Sequence, residues 1–184
     1  MKFTHTPLLD AYEISLDLKG DSRGWLARIY CAKEFEDIGF KKTWVQMNHT
    51  FTSKKGSIRG LHFQIPPYSE IKLVRCIAGE VWDVIIDLRK ESPTFLQWYA
   101  TLLSAQNRKM LYIPEGFAHG FQTLTENCEM LYCHSAVYEN SAERGIKFDD
   151  SSLNIAWPLP LTEISERDLS HPYLKSSTFK EINF

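Results

Sequence analysis

Between residues 12 and 19 apolar and polar residues alternate with a period of two. Tyr12, Ile14, Leu16 and Leu18 interleave with Glu13, Ser15, Asp17 and Lys19, the pattern of a half-buried strand. Runs rich in β-branched and aromatic residues read as further strands over 25–30, 44–51, 57–64, 71–77, 81–88, 95–103, 117–124 and 129–137. Ala78-Gly79-Glu80 reads as a tight hairpin connection, and 32–38 as a helix of one or two turns. The segment after Trp157 mixes Pro, Ser and charge, and reads as short helices packed outside the main body. Many short strands at near-regular spacing point to an antiparallel barrel or sandwich. No βαβ alternation is present, which argues against a parallel doubly wound sheet. In a small barrel alternate residues face a cavity, and polar residues on that face are where function sits.

Composition narrows the class. A chain of 184 residues with 43% hydrophobic content is long enough for a real core, and one domain over 1–184 is expected. The net charge is -2 with scattered basic residues, so no nucleic-acid partner is expected. The N-terminus lacks the apolar stretch of a signal peptide, and apolar runs such as Val84-Ile85-Ile86 are too short to span a bilayer. Cys31, Cys76, Cys128 and Cys133 form no Cys-x-x-Cys pair, so free thiols in a reducing cytoplasm are expected. There is no Gly-x-Gly-x-x-Gly, Walker loop or Gly-x-Ser-x-Gly elbow, which weighs against dehydrogenase, kinase and serine-esterase chemistry.

The stretch richest in chemistry is 56–67, where Arg59, His62 and Gln64 fall within six residues on one expected strand. Strict alternation puts His62 and Gln64 on one face and Arg59 on the other, unless a bulge at Gly60 re-aims the arginine. Lys72 shares a face of the next strand with Val74 and Cys76. A lysine there is either buried with a partner or exposed on an edge strand. His119 lies between Phe117 and Phe121, and Tyr132 and His134 share a face of a late strand. A lone strand histidine or tyrosine is more often structural than catalytic, so pattern alone leaves each of these open.

Taken in order, these residues resemble a known family. Arg59-Gly60-Leu61-His62-Phe63-Gln64, Lys72-Leu73-Val74-Arg75, Gly79-Glu80-Val81-Trp82-Asp83-Val84, Ser92-Pro93-Thr94-Phe95, 113–121 and Glu143-Arg144-Gly145-Ile146 are similar to the dTDP-4-dehydrorhamnose 3,5-epimerase family, from about Gly24 to Trp157. The resemblance implies an all-β jelly-roll cupin barrel with short peripheral helices and a C-terminal extension. It also implies a homodimer, a nucleotide-sugar substrate, no metal and no redox cofactor. It assigns His62 as general base, Tyr132 as general acid, Lys72 to the 4-keto oxygen, and Asp168 to orienting the histidine. Arg59, His119, Gln46, Asn48, Glu143 and Arg167 match substrate-binding positions. Tyr138 matches an aromatic stacking on the base, and Arg23 a diphosphate contact supplied in some members by the partner subunit. The chemistry fits. A 4-keto group acidifies C3 and C5, a histidine suits proton abstraction near neutral pH, a cation stabilises the enolate, and inversion needs a second group on the opposite face.

The chain departs from the family pattern at a few positions. Arg28 stands where dTDP-using members commonly carry a glutamate, and Met47 where an aspartate is common. Arginine only donates hydrogen bonds, so CDP or GDP is the expected nucleotide, the alternative being that Arg28 faces solvent or binds phosphate. Arg167 replaces a common lysine, and Cys133 and His134 also differ from the usual sequence. The alternatives are a metal-dependent cupin, for which Gln64 stands where a ligating histidine is needed, a sugar-binding cupin without catalysis, and a related 3,4-ketoisomerase.

Overall fold

The computed structural model describes residues 1–175 and 184. The strands run in chain order β1 (Lys2–His5), β2 (Tyr12–Ser15), β3 (Leu18–Asp21), β4 (Gly24–Ala27), β5 (Gln46–Thr52), β6 (Ile58–Gln64) and β7 (Lys72–Ala78). They continue as β8 (Glu80–Asp87), β9 (Trp98–Ser104), β10 (Met110–Ile113), β11 (Phe117–Thr123), β12 (Cys128–His134) and β13 (Glu143–Gly145). Two single-turn helices, α1 (Ala32–Glu36) and α2 (Glu166–Leu169), lie outside them. Among the described residues no helix is long and apolar enough to cross a membrane.

One sheet has six strands in the order β1-β2-β10-β7-β12-β5, and the other five in the order β13-β6-β11-β8-β9. The two sheets form the expected jelly-roll barrel, with β3 and β4 standing apart as a two-stranded hairpin. Alternation explains the layers. Inward-facing Val74, Cys76, Ile113 and Met130 of the first sheet meet Val81, Ile85, Phe117 and Phe121 of the second in one buried cluster. The opposite parity is also covered. Leu61, Phe63, Val84 and Ile86 pack beneath Ile146, Leu153 and Trp157, while Leu73, Met110 and Tyr112 pack on Phe35 and Phe40 around α1. Strands such as β11 are therefore buried on both faces.

The long alternating run at 12–19 does not form one strand. It divides into β2, which joins the first sheet, and β3, which leaves it for the hairpin. At β6 the register with β11 pairs His62 with His119 but Arg59 with Phe121, so β6 carries one extra residue. Gly60 sits at that bulge with φ +112. A Cβ there would lie 2.7 Å from Gly120 Cα and from His119 O, so only glycine permits this approach.

Candidate active site

At one end of the barrel the apolar filling gives way to a cavity of about 540 Å³. Its walls are the inner faces of β5 (Gln46, Asn48, Thr50), β6 (Arg59, His62, Gln64), β7 (Lys72), β11 (His119, Phe121) and β12 (Tyr132, His134). Residues 138–143 and the α2 segment close one side with Tyr138, Glu143, Ser165, Arg167 and Asp168. The bulge at Gly60 brings Arg59 to the same wall as His62, as the glycine suggested. There Arg59 is held by Nε donating to Thr52 Oγ1 at 2.9 Å and Nη2 donating to Phe51 O at 3.2 Å.

His62 is oriented from the tail of the chain. The 162–163 segment runs beside β6: Ile58 N donates to Glu163 O at 2.9 Å, and Ser57 bridges Glu163 in parallel. This places α2 at the cavity, with Ser165 capping it by accepting from Asp168 N at 3.1 Å. Asp168 then accepts from His62 Nε2 at 2.8 Å and from Gly60 N at 3.0 Å. With Nε2–H donating to the carboxylate, Nδ1 is left as the basic nitrogen. Burial lowers the His62 pKa, and Asp168 offsets that only in part. Burial would raise the Asp168 carboxyl, but His171, His62 and the Gly60 N–H hold it far below the usual carboxylate range. It is therefore a fixed anion.

Across the cavity Tyr132 stands on the other sheet. Burial pushes its phenol well above the ordinary value, so it is a proton-bearing group at neutral pH. His119 meets it edge-on, with ring centroids 6.0 Å apart, and is itself fixed by Asp83, whose two oxygens each lie 3.0 Å from Nε2. Lys72 is only 6% exposed, since β7 lies between β10 and β12 rather than at an edge. Its Nζ donates to His62 O at 3.3 Å. At the rim, Tyr138 donates through OH to Glu143 Oε2 at 2.7 Å and through N to Gln46 Oε1 at 2.9 Å. Arg167 pairs with Glu143, and Gln46 donates to Asn48 at 3.1 Å.

Two expected substrate contacts are not brought to this cavity by their own chain. Arg23 lies in the turn of the β3–β4 hairpin and Arg28 just after β4, where Arg23 pairs with Asp21 and Arg28 with Glu34 at 2.8 Å. Met47 points outward and is 66% exposed. The expectation of CDP or GDP, built on Arg28 and Met47, thus finds no base-reading contact here. Cys133 also turns away, packing on the outer cluster around Phe35, whereas His134 faces the cavity. Gln64, buried, ties the 137–139 loop by donating to Val137 O at 3.2 Å and accepting from Glu139 N at 2.6 Å.

Three residues escaped the sequence reading. Asp83 carried a visible signal, a lone charge inside an apolar run that shares the parity of Val81 and Ile85. Glu70 precedes its strand and His171 follows a helix of one turn, so neither had a periodic pattern to mark it. His171 lies edge-on to His62, with centroids 5.4 Å apart, and 3.6 Å from Asp168. Ligand atoms of His62, Asp168 and His171 fall within 4.8 Å of one another, but Asp168 already uses both oxygens on His62 and Gly60. The four cysteines are free thiols.

Known proteins share this architecture. The family model for dTDP-4-dehydrorhamnose 3,5-epimerase matches residues 5–176. The dTDP-4-dehydrorhamnose 3,5-epimerase of Salmonella typhimurium is 46% identical over 178 residues, covering 96% of this chain and 97% of its own. A dTDP-6-deoxy-D-glucose-3,5-epimerase from Legionella pneumophila, solved with dTDP-4-keto-L-rhamnose, superposes with TM-score 0.91 at 34% identity, over 99% of this chain and 97% of that one. A 3'-monoepimerase from Streptomyces bikiniensis, solved with dTDP-quinovose, gives TM-score 0.84 at 27% identity, over 92% and 86%.

Proposed function

The chain belongs to the dTDP-4-dehydrorhamnose 3,5-epimerase family, an isomerase family acting on sugar nucleotides, and we propose that it inverts C3, C5 or both in a dTDP-linked 4-keto sugar. The observation that carries this reading is the placement of His62 and Tyr132 on opposite sheets across one cavity. His62 Nδ1 removes the proton from a carbon beside the carbonyl. The electrons move onto the 4-keto oxygen, where the Lys72 ammonium stabilises the enolate as its charge develops. Tyr132 returns a proton from the other face, so the configuration inverts. Asp168 holds the imidazole in the tautomer that leaves Nδ1 free.

Arg59, His119, Gln46, Asn48, Tyr138, Glu143 and Arg167 form the sugar and nucleotide side of the cavity. Arg23 and Arg28 reach a nucleotide only from a second subunit, and a homodimer supplies one. The dimer reading is supported by β5, an edge strand whose Met47 and Phe51 are exposed, and by the hairpin, whose Trp25 and Leu26 are exposed. We assign the whole of 1–184 to one epimerase domain working in the cytoplasm without a metal. Its residues 176–183 lie outside the described ones. The nucleotide is taken as dTDP from the names of the relatives. A non-catalytic sugar-binding cupin and a ketoisomerase are not favoured, since the relatives are named as epimerases.

The test is solvent deuterium uptake, followed by proton NMR, into 4-keto-6-deoxyhexoses carried on dTDP, CDP and GDP. Uptake at C3 or C5 of the dTDP sugar is expected. Uptake confined to the CDP or GDP sugar overturns the nucleotide assignment, and uptake into none overturns the epimerase reading.

A further inference from the structure

Lys72 and His134 are cross-strand partners at the mouth of β7 and β12. Two nitrogen bases directly opposite each other in a buried site repel when both are charged. The carboxylate of Glu70 lies between them. Its Oε2 accepts from His134 Nδ1 at 2.7 Å, and its Oε1 lies 3.2 Å from Lys72 Nζ. The three side chains are 8–9% exposed, so this is not a solvated surface pair. The backbone beside them is also tied: Ile71 N donates to Ser135 Oγ at 2.8 Å, and Ser135 N donates to Ile71 O at 3.0 Å. Burial would raise the Glu70 carboxyl, but the Lys72 charge and the His134 hydrogen bond hold it below its ordinary value, so it is anionic at neutral pH.

An ammonium has three donors. One of those on Lys72 is directed at Glu70 and another at His62 O, which fixes the direction of the third. We propose that Glu70 is a positioning residue of the epimerase, its carboxylate clamping the Lys72 ammonium and the His134 imidazole so that the remaining Lys72 N–H is aimed at the substrate's carbonyl oxygen. The same hydrogen bond leaves His134 Nε2 toward Asn48, 3.4 Å away, and makes His134 part of the cavity wall beside Tyr132. This assignment rests on the epimerase reading, in which Lys72 serves the enolate.

Glu70→Gln keeps the shape and removes the charge. At saturating dTDP-4-keto sugar, deuterium exchange is expected to slow about tenfold or more while KM stays within about twofold, the signature of an interaction made in the transition state. Because Glu70 acts through Lys72, the same substitution placed in a Lys72→Met background is expected to change the residual rate by less than about twofold. Nitrogen-15 NMR of the histidine rings is the readout independent of activity: His134 Nδ1 carries a hydrogen-bonded proton in the wild type, and its signal shifts in Glu70→Gln. If Glu70→Gln unfolds, His134→Asn removes one arm of the clamp, and its loss of rate should likewise vanish in the Lys72→Met background. Wild-type kcat in Glu70→Gln, an equal loss in both backgrounds, or unmoved His134 signals overturn the proposal. A wild-type enzyme that exchanges no proton overturns the epimerase reading instead, and the ring signals then still decide the clamp.

Discussion

Replacing Asp168 by asparagine isolates what the tail segment contributes to the base. The carboxylate accepts two hydrogen bonds, from His62 Nε2 at 2.8 Å and Gly60 N at 3.0 Å, and its side chain is 7% exposed. An amide of the same shape can accept through only one atom, so one of the two N–H donors then faces an NH2 group. A hydrogen bond to a charged partner contributes about 1.5–3 kcal/mol. If His62 loses that much of its orientation in the transition state, kcat falls roughly 10- to 150-fold at about 1.4 kcal/mol per decade. The pH dependence gives a second, signed readout. As the proposed base, His62 would act in its neutral form, and burial holds its pKa below the ordinary 6.5, so the acid limb of kcat/KM is expected below pH 6.5. Asp168 is an influence that raises the His62 pKa. Its removal moves the limb to lower pH even as the plateau falls. Deuterium exchange into a dTDP-4-keto sugar, measured across pH 4–9, reads both. A plateau within about twofold of wild type, or a limb that moves to higher pH, refutes the orienting role.

The other expectations concern stability and assembly. Asp168 is held far below its unfolded value of 3.8, so its stabilisation is present above that pH and is lost as pH falls below it. Asp168→Asn should flatten the acid end of the stability curve in urea titrations. Gly60→Ala, with φ +112 and a Cβ 2.7 Å from Gly120 Cα, should cost about 1–3 kcal/mol and lower the melting temperature by several degrees. An unchanged melting curve counts against the close packing described. Asp83→Leu leaves the buried His119 Nε2 without its hydrogen-bond partner and should cost about 1–3 kcal/mol by chemical denaturation; a neutral result shows the pair to be dispensable. Leu26→Asp, on the exposed hairpin, should yield a monomer in analytical ultracentrifugation and weaken dTDP binding. A stable dimer in that variant moves the interface elsewhere.

Richness in β-branched and aromatic residues made most of the barrel strands legible, including β11, which is buried on both faces and carries no alternation. The reading failed where a strand is very short. β10 is only the four residues Met-Leu-Tyr-Ile. β13 spans three residues, and the break between β2 and β3 is made by tertiary pairing rather than by a turn residue. Within the site, His62, Lys72, His119 and Tyr132 were visible as polar residues of inward parity, and Gly60 as the bulge that re-aims Arg59. The roles of Asp168, Glu143 and Arg167 came from family resemblance, since residues on loops and one-turn helices have no period to read. Arg28 shows the opposite limit. Its chemistry as a donor was read correctly, but its placement beside Glu34 depends on a hairpin that leaves the barrel.

The central claim is that one base and one acid act on opposite faces of the sugar. Incubating wild type, His62→Asn and Tyr132→Phe with dTDP-4-keto-6-deoxyglucose in deuterated water tests it directly, with NMR scoring both label and configuration at C3 and C5. Wild type should give inverted carbons carrying deuterium. His62→Asn should give neither label nor inversion, and Tyr132→Phe should label without inverting. Inversion by Tyr132→Phe at the wild-type rate, or labelling by His62→Asn, would contradict the account.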